Sequence, residues 1–301
     1  MAKRADWRMM GWQGMTVWMP AAWEPARIQG DDRQGYVSFD DGTDIRLEIS
    51  FRPTPRRLTA ERAVANQLET LGRSARKKRL EFHWERKVKL PRVKGGDYEI
   101  IWWKADFQAY ELIRICTECN RMLLVRVQGR TEETGLRETA AGVFASIADH
   151  AKDDQQTWAL LGLEVKLPIV YRLTRWSLRA GLSELELSDG TTDLHVARVS
   201  LGRKLLESQT YLEWMRKFYG TRLKGYDCEW TKSRYREHLA VEATCELPLT
   251  RRLLARKQRR YRRVRSWFCD VADKILVFGG ASNGLESDEF EALCRTVVCH
   301  G

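Results

Sequence analysis

The sequence predicts an α+β protein made of two copies of one folding unit, each an antiparallel sheet of about six or seven strands flanked by helices as an α/β/α sandwich. Three observations lead there. The chain repeats itself: at a constant offset of 148, Gly14-Met-Thr-Val-Trp-Met-Pro20 lies over Gly162-Leu-Glu-Val-Lys-Leu-Pro168, Trp23 over Tyr171, and Asp41-Gly42-Thr43 over Asp189-Gly190-Thr191. Its 301 residues, 43% of them hydrophobic, suffice for two domains of about 150 residues with a core each. Within each copy, strand-like alternation dominates and helical periodicity occurs twice.

In the first copy, residues 1–150, Thr16–Met19 and Tyr36–Phe39 alternate as half-buried strands do, and Asp40-Asp-Gly-Thr43 supplies hairpin-turn chemistry before the returning strand Ile45–Phe51. Asp40 and Asp41 are therefore read as turn residues, not as an acid–base pair. Pro53 and Pro55 end that strand, and Thr59 caps an amphipathic helix to about Leu71, with apolar residues at 60, 63, 64, 68 and 71 on one face. Strands follow at Phe82–Leu90, Tyr98–Trp103, Tyr110–Cys116 and Met122–Gln128, then a closing helix over 132–147. Residues 151–157 are polar and read as a linker.

The second copy, 158–301, repeats the plan. Strands are expected near Leu163, Glu184, Leu194, Tyr226, Leu239, Tyr261 and Ile275, with helices over about 208–219 and from Ser287. Late in the copy the offset has grown to 153, placing Cys116 over Cys269 and Asn120-Arg-Met-Leu-Leu124 over Asp273-Lys-Ile-Leu-Val277. An insertion therefore lies between these points.

The opening strand ending in proline (Val17-Trp-Met-Pro20, Val165-Lys-Leu-Pro168), a nearby aromatic (Trp23, Tyr171), the hairpin, one helix, a meander and a closing helix together resemble the PsbP-like, Mog-type Ran-binding fold, which has bacterial relatives. The resemblance covers both copies and implies a sheet between helices in each, with accessory or adaptor roles in larger assemblies. It carries no functional residue across.

The net charge of +11 is concentrated. Arg73, Arg76, Lys77, Lys78 and Arg79 form one basic segment, and Arg251, Arg252, Arg256, Lys257, Arg259, Arg260, Arg262, Arg263 and Arg265 a second; without them the chain would carry −3. Such segments suit an anionic partner, because arginine forks match carboxylate and phosphate geometry. The plainer reading is a solvated face, paired with acids of the first copy, or cations complementing a helix C-terminus.

Seven cysteines, an odd number in a long chain, read mostly as buried fillers in a reducing compartment. Cys116-Thr-Glu-Cys119 has the spacing of half a zinc site that Cys299-His300 would complete, but there is no second pair of that spacing, and the expectation is no metal and no cofactor. Histidines 83, 150, 195, 238 and 300 neither cluster in sequence nor recur between the copies, and His83 and His238 read as strand-surface residues. No phosphate-binding loop, nucleophile elbow, zinc-protease motif or dinucleotide fingerprint is present. The chain carries charge, not an apolar region, at its start, and no run approaches the roughly 18 apolar residues of a membrane span.

The expectation is thus a cytoplasmic, non-catalytic tandem binding protein that docks a protein with an acidic surface through its basic segments. Nucleic-acid binding through Arg251–Arg265 is the alternative, and a small-molecule or lipid-binding module the third reading.

Overall fold

The computed structural model describes residues 6–93, 96–151, 153–252, 258–284 and 287–300. Its contacts divide the chain into two compact units, Met1–Lys152 and Asp153–Gly301. The expected linker is largely absorbed, since Gln155 already opens a strand.

The first unit begins with a hairpin, β1 (Trp7–Trp12) and β2 (Met15–Pro20), and continues through β3 (Glu24–Gly30), β4 (Gly35–Asp40), β5 (Ile45–Pro53), α1 (Ala60–Lys78), β6 (His83–Glu85), β7 (Asp97–Lys104), β8 (Gln108–Cys116), β9 (Arg121–Gly129) and α2 (Leu136–Ser146). Strands β3 to β9 form an antiparallel sheet of order β3-β4-β5-β9-β8-β7-β6.

The second unit runs β10 (Gln155–Leu160), β11 (Leu163–Pro168), β12 (Arg172–Leu178), β13 (Leu182–Ser188), β14 (Asp193–Ser200), α3 (Gly202–Leu206), α4 (Tyr211–Tyr219), β15 (Asp227–Tyr235), β16 (His238–Glu246), α5 (Leu249–Arg252), β17 (Tyr261–Cys269), β18 (Lys274–Ser282) and α6 (Ser287–Cys294). Its sheet order, β12-β13-β14-β18-β17-β16-β15, is that of the first unit element for element. Strand β8 thus corresponds to β17, β7 to β16, α1 to α4 and α2 to α6. The repeated glycines open each copy for a stated reason. Gln13-Gly14 and Leu161-Gly162 form the two-residue turns of the β1–β2 and β10–β11 hairpins, with φ of 53° and 80°, and of 49° and 71°, and a turn with both central residues at positive φ favours glycine.

The α/β/α sandwich, and with it the α+β PsbP-like arrangement, is corrected. Strands outweigh helices, 48% against 19%, and helices do not form complete layers. One face of the first sheet is covered by α1, whose Ala60, Ala63, Val64 and Leu68 pack on Ile101, Trp103, Ala109, Ile113 and Ile115. On the other, the short α2 packs on β8 and β9 and against the hairpin strand β2. The repeated opening segment reads from sequence as a strand of the main sheet, because its hairpin partner Trp-Arg-Met-Met-Gly-Trp (β1) lacks clean alternation. Strand β3 is also invisible in sequence: Glu24–Gly30 has five exposed residues and a proline. In the second unit α4 covers the equivalent face through Trp214, Met215 and Tyr219 against Val241, Ala243, Val264 and Val277, and Phe290 of α6 stacks edge-on against Phe278 on the other.

The inserted residues lie between β16 and β17, at Leu247–Arg260, where the first unit has only the turn Ala105–Phe107 between β7 and β8. Cys228 and Cys245 face each other across β15 and β16 and form a disulfide with Cα atoms 4.1 Å apart. Two of the seven cysteines are therefore not fillers, and the cysteine count no longer argues for a reducing compartment. Among the described residues no helix is long and apolar enough to cross a membrane.

Candidate functional site

The first basic segment does not follow the first helix, as the periodicity to Leu71 predicts; it is its end. α1 runs to Lys78, held by a Thr59 cap that accepts from the Arg62 amide, and Arg79 closes it in the left-handed conformation at φ 57°. Cations in a last turn complement the helix dipole, which offsets their mutual repulsion. Lys78 meets Asp106 at 3.0 Å and Arg73 lies 3.9 Å from Glu69. Arg76, Lys77 and Arg79 are exposed, and no acidic partner is found for them among the described residues. Five positions further on, Trp84 of the edge strand β6 is 52% exposed. It stands opposite Trp103, which packs under α1, so it lies on the face of the sheet that carries α1.

The second segment is treated differently by the fold. Arg256 and Lys257 lie outside the described residues. Arg251 and Arg252 are in α5, Arg251 exposed. The remainder are drawn into β17 and its approach, where each finds a partner in its own unit and none from the first copy is needed. Arg259 binds Asp193 at 3.0 Å, Arg260 binds Glu246 at 3.2 Å, and Arg263 and Arg265 share Glu242 and Glu291, with Arg265–Glu291 at 2.6 Å. Arg262 donates to the Arg222 carbonyl at 2.8 Å and stacks over Tyr226. Alternation along β17 explains this. Arg263 and Arg265 point to the α6 face, where Glu291 waits, and Arg262 points to the α4 face.

On that α4 face a cavity of about 230 Å³ is lined by Glu186, Asp193, His195, Tyr219, Arg222, Arg262 and Gly279. His195 is buried, its Nε2 lies 3.2 Å from Glu184 Oε1, and its Nδ1 has no hydrogen-bond partner. Arg222 bridges Glu184 and Glu186 at 3.3 and 2.6 Å. Polar side chains converge here, yet Glu184 and Glu186 are held by Arg222, Asp193 by Arg259, and no nucleophile is hydrogen-bonded to His195 among the described residues. In the first unit a cavity of about 440 Å³, lined by Gln29, Tyr36, Phe51, Gln67 and Met122 among others, is open to solvent and of mixed polarity, unlike the enclosed apolar space a lipid requires.

Burial pushes the His195 imidazole below its ordinary value of 6.5, despite Glu184, and the His195 hydrogen bond is the first cause holding Glu184 below 4.5. The unfolded chain therefore takes up a proton at position 195 below about pH 6.5 that the folded chain resists, so stability falls as pH drops through that value. The Glu184 contribution is present above 4.5 and is lost at still lower pH. The expected result is a urea midpoint that declines on acidification below pH 6.5, and a flatter decline in His195→Gln.

The half zinc site at Cys116 and Cys119 is not completed by Cys299 and His300. Each pair finds its neighbours inside its own unit: Cys116 and Cys119 with Asp149 and His150, Cys299 and His300 with His238 and Cys269. One pair of histidines, His150 and His300, does recur in space. Cys116 Sγ lies 3.5 Å from His150 Nδ1, and Cys269 Sγ 3.2 Å from His300 Nδ1, each pair joining the end of β8 or β17 to the segment after α2 or α6. His238, expected on a strand surface, is buried, while His83 is exposed.

No family model matches the chain, and no curated protein does. Among solved structures, the immunity protein TplEi of T6SS from Pseudomonas aeruginosa, complexed with "L" peptide, aligns at 11% identity and a TM-score of 0.37, over 99% of this chain and 98% of that one. The Pseudomonas aeruginosa MucA/MucB complex aligns at 11% identity and a TM-score of 0.20, over 94% of this chain and 87% of that one. Scores this low carry no argument about what the present chain does.

Proposed function

We propose that this chain is a non-catalytic tandem binding protein that docks an acidic protein partner through the last turn of α1. The observation that carries the reading is the group Arg76, Lys77 and Arg79, exposed and with no acidic partner among the described residues, followed five positions on by the exposed Trp84 on the sheet face that carries α1. Free cations steer an anionic partner into place, and a solvent-facing tryptophan at their edge is the kind of anchor that carries most of an interface's energy. Arginines 259, 260, 263 and 265 already hold carboxylates. That leaves the alternative, nucleic-acid binding through the second segment, with fewer charges to offer phosphates.

The test is fluorescence anisotropy with two labelled probes, polyglutamate and single-stranded DNA, against the wild-type chain and the triple variant R76E/K77E/R79E. The three side chains are exposed, but glutamates at a helix C-terminus oppose its dipole, so the variant is expected to melt somewhat below the wild type and still fold, which its melting curve checks. Polyglutamate affinity is expected to fall at least about tenfold in the variant and to weaken between about 50 and 200 mM salt. Unchanged affinity in the triple variant removes the reading. DNA binding that survives the triple variant and disappears in R259A/R260A/R262A/R263A replaces it with the nucleic-acid one.

A further inference from the structure

The two units use the same corner of the fold to gather sulfur and imidazole. In the second, His238 opens β16 and Cys269 ends β17, and the pairing of Leu239 with Phe268 places them opposite one another on the α6 face. Cys299 and His300 arrive with the segment beyond α6, which an isolated bridge between Val298 and Glu164 ties to β11. Three separate stretches of backbone thus converge on one point. His300 Nδ1 lies 3.2 Å from both Cys269 Sγ and Cys299 Sγ, and Cys299 Sγ lies 3.6 Å from His238 Nε2. All four donor atoms fall within 4.8 Å of one another, and only His300 is exposed.

We propose that the second unit binds one zinc ion through Cys269, Cys299, His238 and His300. With zinc–sulfur bonds of about 2.3 Å and zinc–nitrogen bonds of about 2.0–2.1 Å, a tetrahedron has donor–donor edges of roughly 3.3–3.8 Å, close to the 3.2, 3.2 and 3.6 Å separations above. Two thiolates and two imidazoles in a closed tetrahedral set select zinc over the hard, oxygen-seeking cations. The outer shell is also in place: Asp270 Oδ1 is 3.4 Å from His238 Nδ1, the ring nitrogen facing away from the donors, and a carboxylate there fixes a ligating imidazole's tautomer and orientation. Four protein ligands leave no open position for substrate, so the ion is structural. Binding releases the two thiol protons to solvent and ties the chain beyond α6 to the ends of β16 and β17.

The duplication supplies an independent argument. Cys116 and His150 occupy the places of Cys269 and His300, and His150 Nε2 is held by Glu118 at 2.7 Å. Beside them Asp149 stands where the second unit has Cys299, and Cys119, from the β8–β9 turn, replaces the ligand that β16 provides. The Cys–His pair has been kept in both copies while the sequence around it diverged.

The full chain, loaded with zinc under reducing conditions and freed of excess metal, is to be compared with His300→Ala and with C269S/C299S by elemental analysis and by cobalt substitution. His300 is exposed, so its variant is expected to keep the fold, which the melting curve checks. The expected result is one zinc per chain fewer in both variants, with the cobalt–thiolate absorption reduced to match. A wild-type chain that retains no zinc overturns the proposal, as does equal zinc in the wild type and the double-cysteine variant. Loss in C269S/C299S without loss in His300→Ala overturns the four-ligand assignment.

Discussion

Replacing Glu111 with alanine is expected to destabilise the first unit by about 3–5 kcal/mol, because it removes one of the two carboxylates that pair Arg126 and leaves two further donors without an acceptor. Glu111 is fully buried in the middle of β8. Its carboxylate accepts from Arg126 Nε at 2.6 Å, Trp103 Nε1 at 2.8 Å and Gln67 Nε2 at 3.0 Å, and Arg126 reaches on to Glu48 at 2.7 Å. Without Glu111, the Trp103 indole and the Gln67 amide lose their acceptor and Arg126 keeps one carboxylate in place of two. Urea denaturation at constant slope is the measurement. The double variant E111L/R126M, which removes the two most buried charges, fills the space and leaves Glu48 to the Tyr36 hydroxyl and solvent, is expected to recover part of the loss, as buried ion pairs replaced by apolar groups often do. A single variant as stable as the wild type shows that water reaches Arg126 and that this network is not part of the core.

Trp267→Ala is expected to cost about 3–5 kcal/mol in the second unit, the range for truncating a large buried aromatic. Trp267 is at 0% exposure towards the end of β17, paired with Leu276 and Ala240, its ring tilted against that of Tyr235 with centroids 4.9 Å apart. Its indole nitrogen has no hydrogen-bond partner among the described residues, so Trp267→Phe removes an unsatisfied donor along with some volume and is expected to lose much less. Hydrogen exchange is expected to show the alanine variant's amides in β16–β18 opening first. Loss of protection elsewhere with these strands unchanged is incompatible with a core built around this side chain.

Much of the architecture was legible in the residues. Gly14 and Gly162, the Asp-Gly-Thr turns and the prolines after the opening strands encode local geometry, and local geometry survives translation into pattern. Asp41 accepts from the Thr43 and Asp44 amides, and Asp189 from those of Thr191 and Thr192, as turn residues must. What failed was whatever depends on partners distant in sequence. Strands β3 and β12 sit at sheet edges, so their outward faces carry no apolar alternation to read. The layering failed because Trp7–Trp12 pairs with Met15–Pro20 outside the seven-stranded sheet, where α2 packs against it.

The functional residues divide in the same way. The basic run at Arg251–Arg265 is conspicuous in sequence, but its meaning depends on Glu242 and Glu291, which arrive from another strand and another helix. The Cys-x-x-Cys spacing drew attention to Cys116 and Cys119, while His238 and Cys269, separated by a whole hairpin and an insertion, gave no local sign of being opposite each other. Placing the β15–β16 turn at Arg236-Glu237, both at positive φ, was the missing step. That turn fixes Cys228 against Cys245 and puts His238 at the strand's start, and neither residue is one that usually marks such a turn.

The Cys228–Cys245 bridge gives the two sheets unequal outer margins. In the second, the margin strand β15 is stitched covalently to its neighbour, so it cannot peel off and swap into another copy while the bond lasts. In the first, the matching margin is the three-residue β6, held by main-chain pairing and by flanking contacts such as Arg86–Glu99, with no covalent link. It is the first sheet, then, whose margin can fray, and the second that cannot be unzipped from that side.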